Sequence, residues 1–254
     1  MDKNLFITAT ILYGVTLIAM VTKSSKRFYT LFFTAGILAH LGGLYIRTLS
    51  AHHPPFTNLY ETLLLLSLLI VIRLIISEKN IISPLRQLLL FFVIIIMVTI
   101  HLLPASFRAV HPLPPALNSF WMYIHIPVYL CGYMALLLAC FYALNILLSA
   151  RSESSPEIVD LARRLNREVK LTFFLLNAGL ITGAIWGFVS WGNYWSWDSK
   201  EVWALINILL LGFYFHLDKP RIYKKALIII LVIFSVVFTY FGVNFLLAGL
   251  HSYR

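Results

Sequence analysis

The chain consists of eight long apolar runs separated by shorter polar links. A helix of about 20 apolar residues crosses about 30 Å of hydrocarbon, and a helix satisfies its own backbone hydrogen bonds where lipid cannot. The pattern therefore predicts an all-α polytopic membrane protein, with eight transmembrane helices in a single membrane domain over residues 1–254. The runs are Leu5–Val21, Phe28–Ile46, Leu59–Ile76, Leu88–Leu103, Phe120–Leu148, Leu171–Val189, Val202–His216 and Ala226–Leu247.

Composition supports a membrane protein. The 254 residues are 60% hydrophobic and 12% charged, against about 45–50% and about 25% in soluble globular domains. These values exclude a water-soluble enzyme and a disordered chain. No cleavable signal is expected, because the first run lacks a small-residue cleavage site. Cys131 and Cys140 face opposite sides of one predicted helix and form no C-x-x-C motif, so a thiol–disulfide carrier is not expected.

The positive charges predict the orientation. Four alternate links, over residues 21–28, 72–88, 149–171 and 217–226, hold 15 of the 20 Lys and Arg residues, and the other links and both termini hold five. Positive links stay on the inside of the membrane, so both termini are expected outside. The same placement explains the net charge of +10 without a nucleic-acid partner. Within the longest inside link, residues 152–170 open with Ser-Pro-Glu and are expected to form an amphipathic surface helix.

The predicted external link between the sixth and seventh runs carries the most unusual composition. Five of the six tryptophans fall within residues 186–203. An aromatic belt at the membrane interface accounts for one or two Trp residues per helix end. A dense cluster with Gly and Asp between the rings favours a flat stacking surface for a planar hydrophobic ligand. The candidate residues of this loop, residues 191–203, are Trp191, Trp195, Trp197, Asp198 and Trp203.

Three histidines are candidates for metal ligation. His125 and His251 are predicted at outer helix ends, where two neutral imidazoles are able to ligate haem iron axially. A polar anchor at the interface is the alternative, and the residues alone leave the two readings balanced. His216 either lies deep in the membrane or reaches to the inner surface, again in balance. For His40, a hydrogen bond between helices is favoured over ligation.

Asn58 and Glu61 lie at the start of the third run. Asn58 is placed to cap that helix, and a carboxylate such as Glu61 is favourable in a first helical turn. A buried Glu61 at this depth would also hold a partner cation. Capping alone is sufficient to explain both residues.

Several motifs together resemble the WWD-domain family of cytochrome c assembly proteins, and within it the CcsA/ResC subunits of the system II cytochrome c synthase. The similarity covers nearly the whole chain. The runner-up is the CcmC-type haem handler, which shares the Trp-rich loop but usually has six spans. The motifs are Asn58-Leu-Tyr-Glu61, Trp121-x-x-x-His125, Trp191-Gly-Asn-Tyr-Trp195-Ser-Trp197-Asp198-Ser-Lys200-Glu201-Val-Trp203, Tyr214-Phe-His216 and Gly249-Leu-His251-Ser-Tyr253.

The resemblance implies a function in haem transport and cytochrome c maturation. The cofactor expected is haem b, bound in transit. His125 and His251 would ligate its iron above the Trp-rich loop, and His216 would mark a second, membrane-embedded haem position. Asp198 and Lys200 would either orient the loop or meet the haem propionates.

The resemblance also implies partners and a location. The chain would act as a subunit of a holocytochrome c synthase, with a CcsB/ResB-type membrane subunit and an apocytochrome c bearing C-x-x-C-H. The expected location is the bacterial cytoplasmic membrane, or the thylakoid membrane in a plastid. Ser199 stands where the family commonly has Pro, and Phe188-Val189 replace a usual Asn-Glu pair. Neither departure touches an assigned ligand.

Two other classes of function remain open from the residues. A non-catalytic membrane transporter is compatible with eight spans and an embedded histidine, but no internal repeat is visible and Glu61 is the single carboxylate in the predicted spans. A membrane cytochrome that keeps its haem permanently is the other class.

Overall fold

A computed structural model describes residues 2–76, 83–149, 152–218 and 221–246. Over these ranges the regular structure is helical, with no β-strand, as predicted. The chain divides into two compact units, Met1–Pro115 and Ala116–Arg254, which we call the N-terminal and C-terminal units.

The N-terminal unit is a group of four long helices and one short helix. Helix α1 packs against both α2 and α4, and α3 packs against α4. The helices are α1 (Asp2–Val21), α2 (Lys26–Ala51), α3 (Leu59–Ile76), α4 (Ser83–Leu102) and α5 (Ala105–Arg108).

The C-terminal unit is built around the pairing of α6 with α7. Helix α6 also packs against α9, and α8 packs against α7 and α9. The two cysteines, both on α6, are free thiols, as their spacing predicts. A 3₁₀ turn (Pro115–Leu117) begins at the last residue of the N-terminal unit. The helical elements of the C-terminal unit are α6 (Phe120–Leu147), α7 (Pro156–Trp191), α8 (Ser199–His216), α9 (Ile222–Val237), a π-helical turn (Phe238–Gly242) and α10 (Val243–Leu246).

In the described part of the chain, seven helices are long and apolar enough to cross a membrane. Each of the eight predicted runs is helical where it is described, except that Leu103 and Leu148 lie one residue beyond the ends of α4 and α6. Helix α8 is not among the seven. Its 18 residues include Lys200, Glu201, Asn207 and His216, which lower its mean hydropathy. The eighth crossing, over Val202–His216, therefore stays a prediction, as do the outside location of both termini and the external position of the Trp-rich loop.

The predicted surface helix over residues 152–170 is not a separate element. It starts as expected, since Ser155 caps the helix by accepting from the Ile158 amide, but it continues without a break into the sixth span. One stripe of buried side chains runs through both parts, with Leu165, Val169 and Leu176 among its members. The 36-residue helix is about 54 Å long, well beyond the hydrocarbon thickness.

Polar side chains cross the helix contacts of the N-terminal unit. Asn58 Oδ1 accepts from the Glu61 amide at 2.9 Å, which confirms the predicted cap. Glu61 also binds a partner cation, because its Oε1 lies 2.8 Å from Nε of the buried Arg47. His40 Nδ1 lies 3.3 Å from the Tyr13 hydroxyl, which is the helix–helix hydrogen bond favoured for this histidine.

Candidate functional site

His125 lies in the second turn of α6 and packs against α7. Its Nδ1 lies 2.9 Å from the carbonyl oxygen of Gly179. A carbonyl oxygen only accepts, so Nδ1 carries the proton and Nε2 carries the lone pair of the neutral ring. This is the tautomer that a metal-ligating histidine requires, and a backbone carbonyl is a usual partner for its second nitrogen.

Two aromatic rings contact the imidazole, and a glycine on α7 leaves the space that it occupies. The ring centroid of His125 lies 4.9 Å from that of Tyr129 and 5.6 Å from that of Trp186. On α7, a Cβ atom at Gly183 would lie 2.6 Å from Cε1 of His125 and 2.7 Å from its Nδ1. Only glycine at this position leaves room for the ring, because ordinary carbon–carbon contacts are about 3.5–4.0 Å.

Tryptophans continue from the imidazole to the end of α7. Trp186 is 3% exposed, and its ring centroid lies 5.1 Å from that of Trp191, the last residue of the helix. Gly192 then ends α7 with φ of +81°, and its amide donates to the Phe188 carbonyl at 2.9 Å. This left-handed turn favours glycine and sends the chain into the Trp-rich loop.

The loop itself presents aromatic surface. Tyr194 stacks on Phe188 with ring centroids 4.4 Å apart and an interplanar angle of 6°. Trp195 and Trp197 meet edge to face at 5.7 Å. Trp197 has φ of +59° and is 69% exposed. A large apolar ring held in an uncommon backbone conformation and left exposed is a surface suited to an apolar ligand.

Asp198 anchors the loop to α8. Its carboxylate accepts from the Lys200 amide at 2.9 Å, and together with Glu201 it forms a capping box at the start of the helix. Glu201 Oε2 accepts from the amides of Ser196 at 2.8 Å and Asp198 at 3.1 Å. These bonds give Asp198 a loop-orienting contact, one of the two roles expected for it. Burial lowers the pKa of Lys200 to about 8, opposed by the charge of Asp198.

The remaining candidates lie apart in the chain and differ in surroundings. Residues 199–203 of the segment predicted as the loop are helical, so Trp203 lies on the second turn of α8. Its ring centroid lies 4.4 Å from that of Phe238. His216 is the last residue of α8, is exposed, and has its Nδ1 2.8 Å from the Gly212 carbonyl oxygen. The same tautomer argument therefore assigns the lone pair of His216 to Nε2.

His251 lies outside the described residues, so the pairing of His125 with His251 stays a prediction. Within the described ranges, no group of three or more His, Cys, Asp or Glu side chains is placed to hold a metal ion. A site that uses two histidines for an iron already held in a macrocycle does not need such a group.

Sequence reasoning missed the Gly179 carbonyl and Gly183, and it included Glu201 in a motif without giving it a role. The glycines repeat at 179, 183 and 187, a spacing of four that allows close helix packing in membranes. That spacing was a usable signal for a close contact with α6. It does not indicate which side chain fills the space.

Known proteins resemble the chain closely enough to assign its family. The model of the family described as Cytochrome C assembly protein matches residues 56–251. A protein named Cytochrome c biogenesis protein CcsA from Prochlorococcus marinus (strain SARG) is 31% identical, over 83% of this chain and 78% of the relative. The protein of the same name from Parasynechococcus marenigrum (strain WH8102) is 30% identical, over 83% and 81%.

A solved structure has a similar fold. The chain titled Cytochrome c Heme Lyase CcmF superposes with a TM-score of 0.68 at 16% identity. The match covers 94% of this chain but 45% of that longer one. At this identity the likeness is one of fold.

Proposed function

The chain belongs to the cytochrome c assembly protein family, as a relative of CcsA, and from this premise we propose that it carries haem to the outer face of a membrane and holds it there for attachment to apocytochrome c. The observation that carries the proposal is the setting of His125. Its ring is oriented by the Gly179 carbonyl and lies beside Trp186, from which aromatic side chains lead into the Trp-rich loop.

His125 and His251 are the proposed axial ligands of the outer haem iron. For His125 the donor chemistry fits, since Nε2 carries the lone pair and the hydrogen bond from Nδ1 makes the ring a better donor. His216, with the corresponding tautomer, is the proposed ligand at an earlier, membrane-embedded haem position. A second ligand there would come from a CcsB/ResB-type partner subunit.

The Trp-rich loop is the proposed support for the haem ring. Trp191, Trp195 and Trp197 offer indole faces that are partly or largely exposed. Asp198 fixes the loop to α8 through its cap, and Trp203 secures the first part of α8 against Phe238. Moving a planar, largely apolar ring from water onto such a surface costs little hydration free energy. The haem ring can therefore bind there without a deep cavity.

The proposed topology has eight crossings, with both ends of the chain and the Trp-rich loop outside. Helix α8 would be the eighth span, its charged first turn at the outer surface and His216 at the other end, about 25 Å from Ser199 along the helix. The membrane would be the cytoplasmic membrane of a bacterium or a thylakoid membrane. The bias of 15 against five cations supports this orientation.

The proposed reaction joins two cysteine thiols of an apocytochrome C-x-x-C-H segment to the two haem vinyl groups. In each addition an S–H bond breaks, a C–S bond forms at one vinyl carbon, and the proton ends on the other vinyl carbon, so no net oxidation occurs. The chain and its partner subunit would act together as a holocytochrome c synthase. The chain contributes orientation of the iron and exclusion of water.

Co-expression tests this function. The chain is expressed with a CcsB/ResB-type subunit and an apocytochrome c, in cells that lack their own assembly system, and covalent haem is read by staining after denaturing electrophoresis. We expect holocytochrome with the wild-type chain, none with His125→Ala, and wild-type yield with His52→Ala, which removes an exposed histidine from the N-terminal unit. Equal yield from His125→Ala and His52→Ala would contradict the proposal.

A further inference from the structure

A small pocket with several charged lining residues lies at one end of the N-terminal unit, well separated in sequence from the Trp-rich loop. Its volume is about 280 Å³, and it is lined by Asp2, Lys3, Arg47, Tyr60 and the short helix α5. These residues lie where α1 and α3 begin and where α2 and α4 end. The pocket is therefore at the level where apolar helices leave the hydrocarbon, which is also the level of lipid headgroups.

The buried Arg47 organises one wall of the pocket. Its side chain is 2% exposed, and its Nε donates to Glu61 Oε1 at 2.8 Å. Its Nη1 donates to the backbone carbonyl of Arg108 at 2.9 Å, and its Nη2 donates to that of Ala109 at 3.2 Å. Arg47 thus fixes the backbone that carries Arg108 at the pocket.

The Arg108 guanidinium and the Lys3 ammonium have no hydrogen-bond or ion-pair partner among the described residues. The Nε atom of Arg108 is moreover buried and unsatisfied. A buried donor without an acceptor costs about 1–3 kcal/mol, so this placement is unfavourable unless a ligand completes it.

The charged side chains at the pocket carry a net positive charge. Arg47 is offset by Glu61 at 2.8 Å, and Asp2 lies 3.5 Å from Arg47 Nη1. Three cations and two carboxylates therefore sum to +1. A phosphodiester carries a charge of −1, and guanidinium groups bind phosphate oxygens through paired hydrogen bonds.

We propose that this pocket binds the phosphodiester of a phospholipid headgroup, with Arg108 and Lys3 as the donors. Because the pocket lies at the helix ends, a lipid phosphate is within its reach. The net charge of +1 in the pocket is complementary to the charge of −1 on the phosphodiester. The proposal does not depend on haem handling, since the residues involved all belong to the N-terminal unit and to none of the proposed haem contacts.

Lipid binding to the full chain, purified in detergent, tests the proposal by native mass spectrometry. The probes are phosphatidylglycerol, diacylglycerol without a phosphate, and inorganic phosphate. We expect phosphatidylglycerol to bind, diacylglycerol not to bind at this site, and Arg108→Gln to weaken phosphatidylglycerol binding at least about tenfold, the loss of a charge-assisted bond. Lys3→Gln should weaken it as well.

Arg163→Gln is the matched control, because it removes the same charge from a side chain that is 77% exposed on α7. Since Arg108 has no side-chain partner among the described residues and its Nε is unsatisfied, its replacement should not lower the temperature of thermal unfolding. Equal lipid binding in Arg108→Gln and Arg163→Gln would overturn the proposal. Binding of inorganic phosphate in preference to phosphatidylglycerol would overturn the lipid assignment.

Discussion

Replacing Gly183 by Ala should weaken haem binding at the outer face without touching a ligand. The added Cβ would lie 2.6 Å from Cε1 of His125, about 1 Å inside ordinary contact distance. The ring must move away, which breaks its 2.9 Å bond to the Gly179 carbonyl, or it must stay at a cost of about 1–3 kcal/mol for overpacking. The apoprotein relieves the clash by moving the ring, and returning the ring to the iron-binding position restores that cost of about 1–3 kcal/mol, so haem affinity should fall roughly five- to 150-fold.

The assay is a haem titration of purified protein, followed by absorption in the Soret band. Gly14→Ala is the matched control, because a Cβ at Gly14 would meet nothing within 4 Å. We expect Gly14→Ala to bind haem as the wild type does. If Gly183→Ala also binds haem with wild-type affinity and spectrum, the orientation of His125 by α7 is irrelevant to haem binding and the reasoning is refuted.

Three further outcomes are expected. Glu61→Leu removes the buried carboxylate that lies 2.8 Å from Arg47 and should cost about 3–5 kcal/mol in unfolding experiments; a loss below about 1 kcal/mol would contradict the ion-pair argument. Trp197→Ala removes a 69% exposed ring and should lower haem retention roughly two- to tenfold with unchanged membrane insertion, whereas normal cytochrome c maturation would count against the stacking surface. If Lys200 meets a propionate, deprotonation near its pKa of about 8 should weaken haem binding as the pH rises from about 7 to about 9. Lys200→Gln should then show no such step, and a wild-type step that survives this substitution would refute a propionate contact.

The helices of this protein were predictable because apolar run length is a direct requirement of a membrane span. The third run, Leu59–Ile76, coincides with its helix, and the cap by Asn58 was readable from one residue type at one position. The sequence did not indicate that residues 156–170 and the sixth span form one continuous helix, because the polarity of residues 156–170 resembles that of a surface helix. The buried stripe that continues from Leu165 to Leu176 becomes evident only when α6 is present to cover it.

The candidate site, like the fold, was predictable from the sequence only in part. The aromatic and histidine residues were identifiable from their types and their concentration in one segment. Their orientation was not, since it depends on a backbone carbonyl at Gly179 and an absent side chain at Gly183, both supplied by a neighbouring helix. Glu201 was read as part of a motif, while its bonds to Ser196 and Asp198 depend on how the loop folds back.

The most direct test of haem ligation by the outer pair is the absorption spectrum of purified His125→Ala and His251→Ala, each recorded with and without imidazole. We expect each variant to lose outer-face haem, and added imidazole to restore a bis-imidazole spectrum by occupying the vacated axial position. His52→Ala should keep the wild-type spectrum throughout. Unchanged haem content and spectra in both single variants without imidazole would show that these two histidines do not hold the iron.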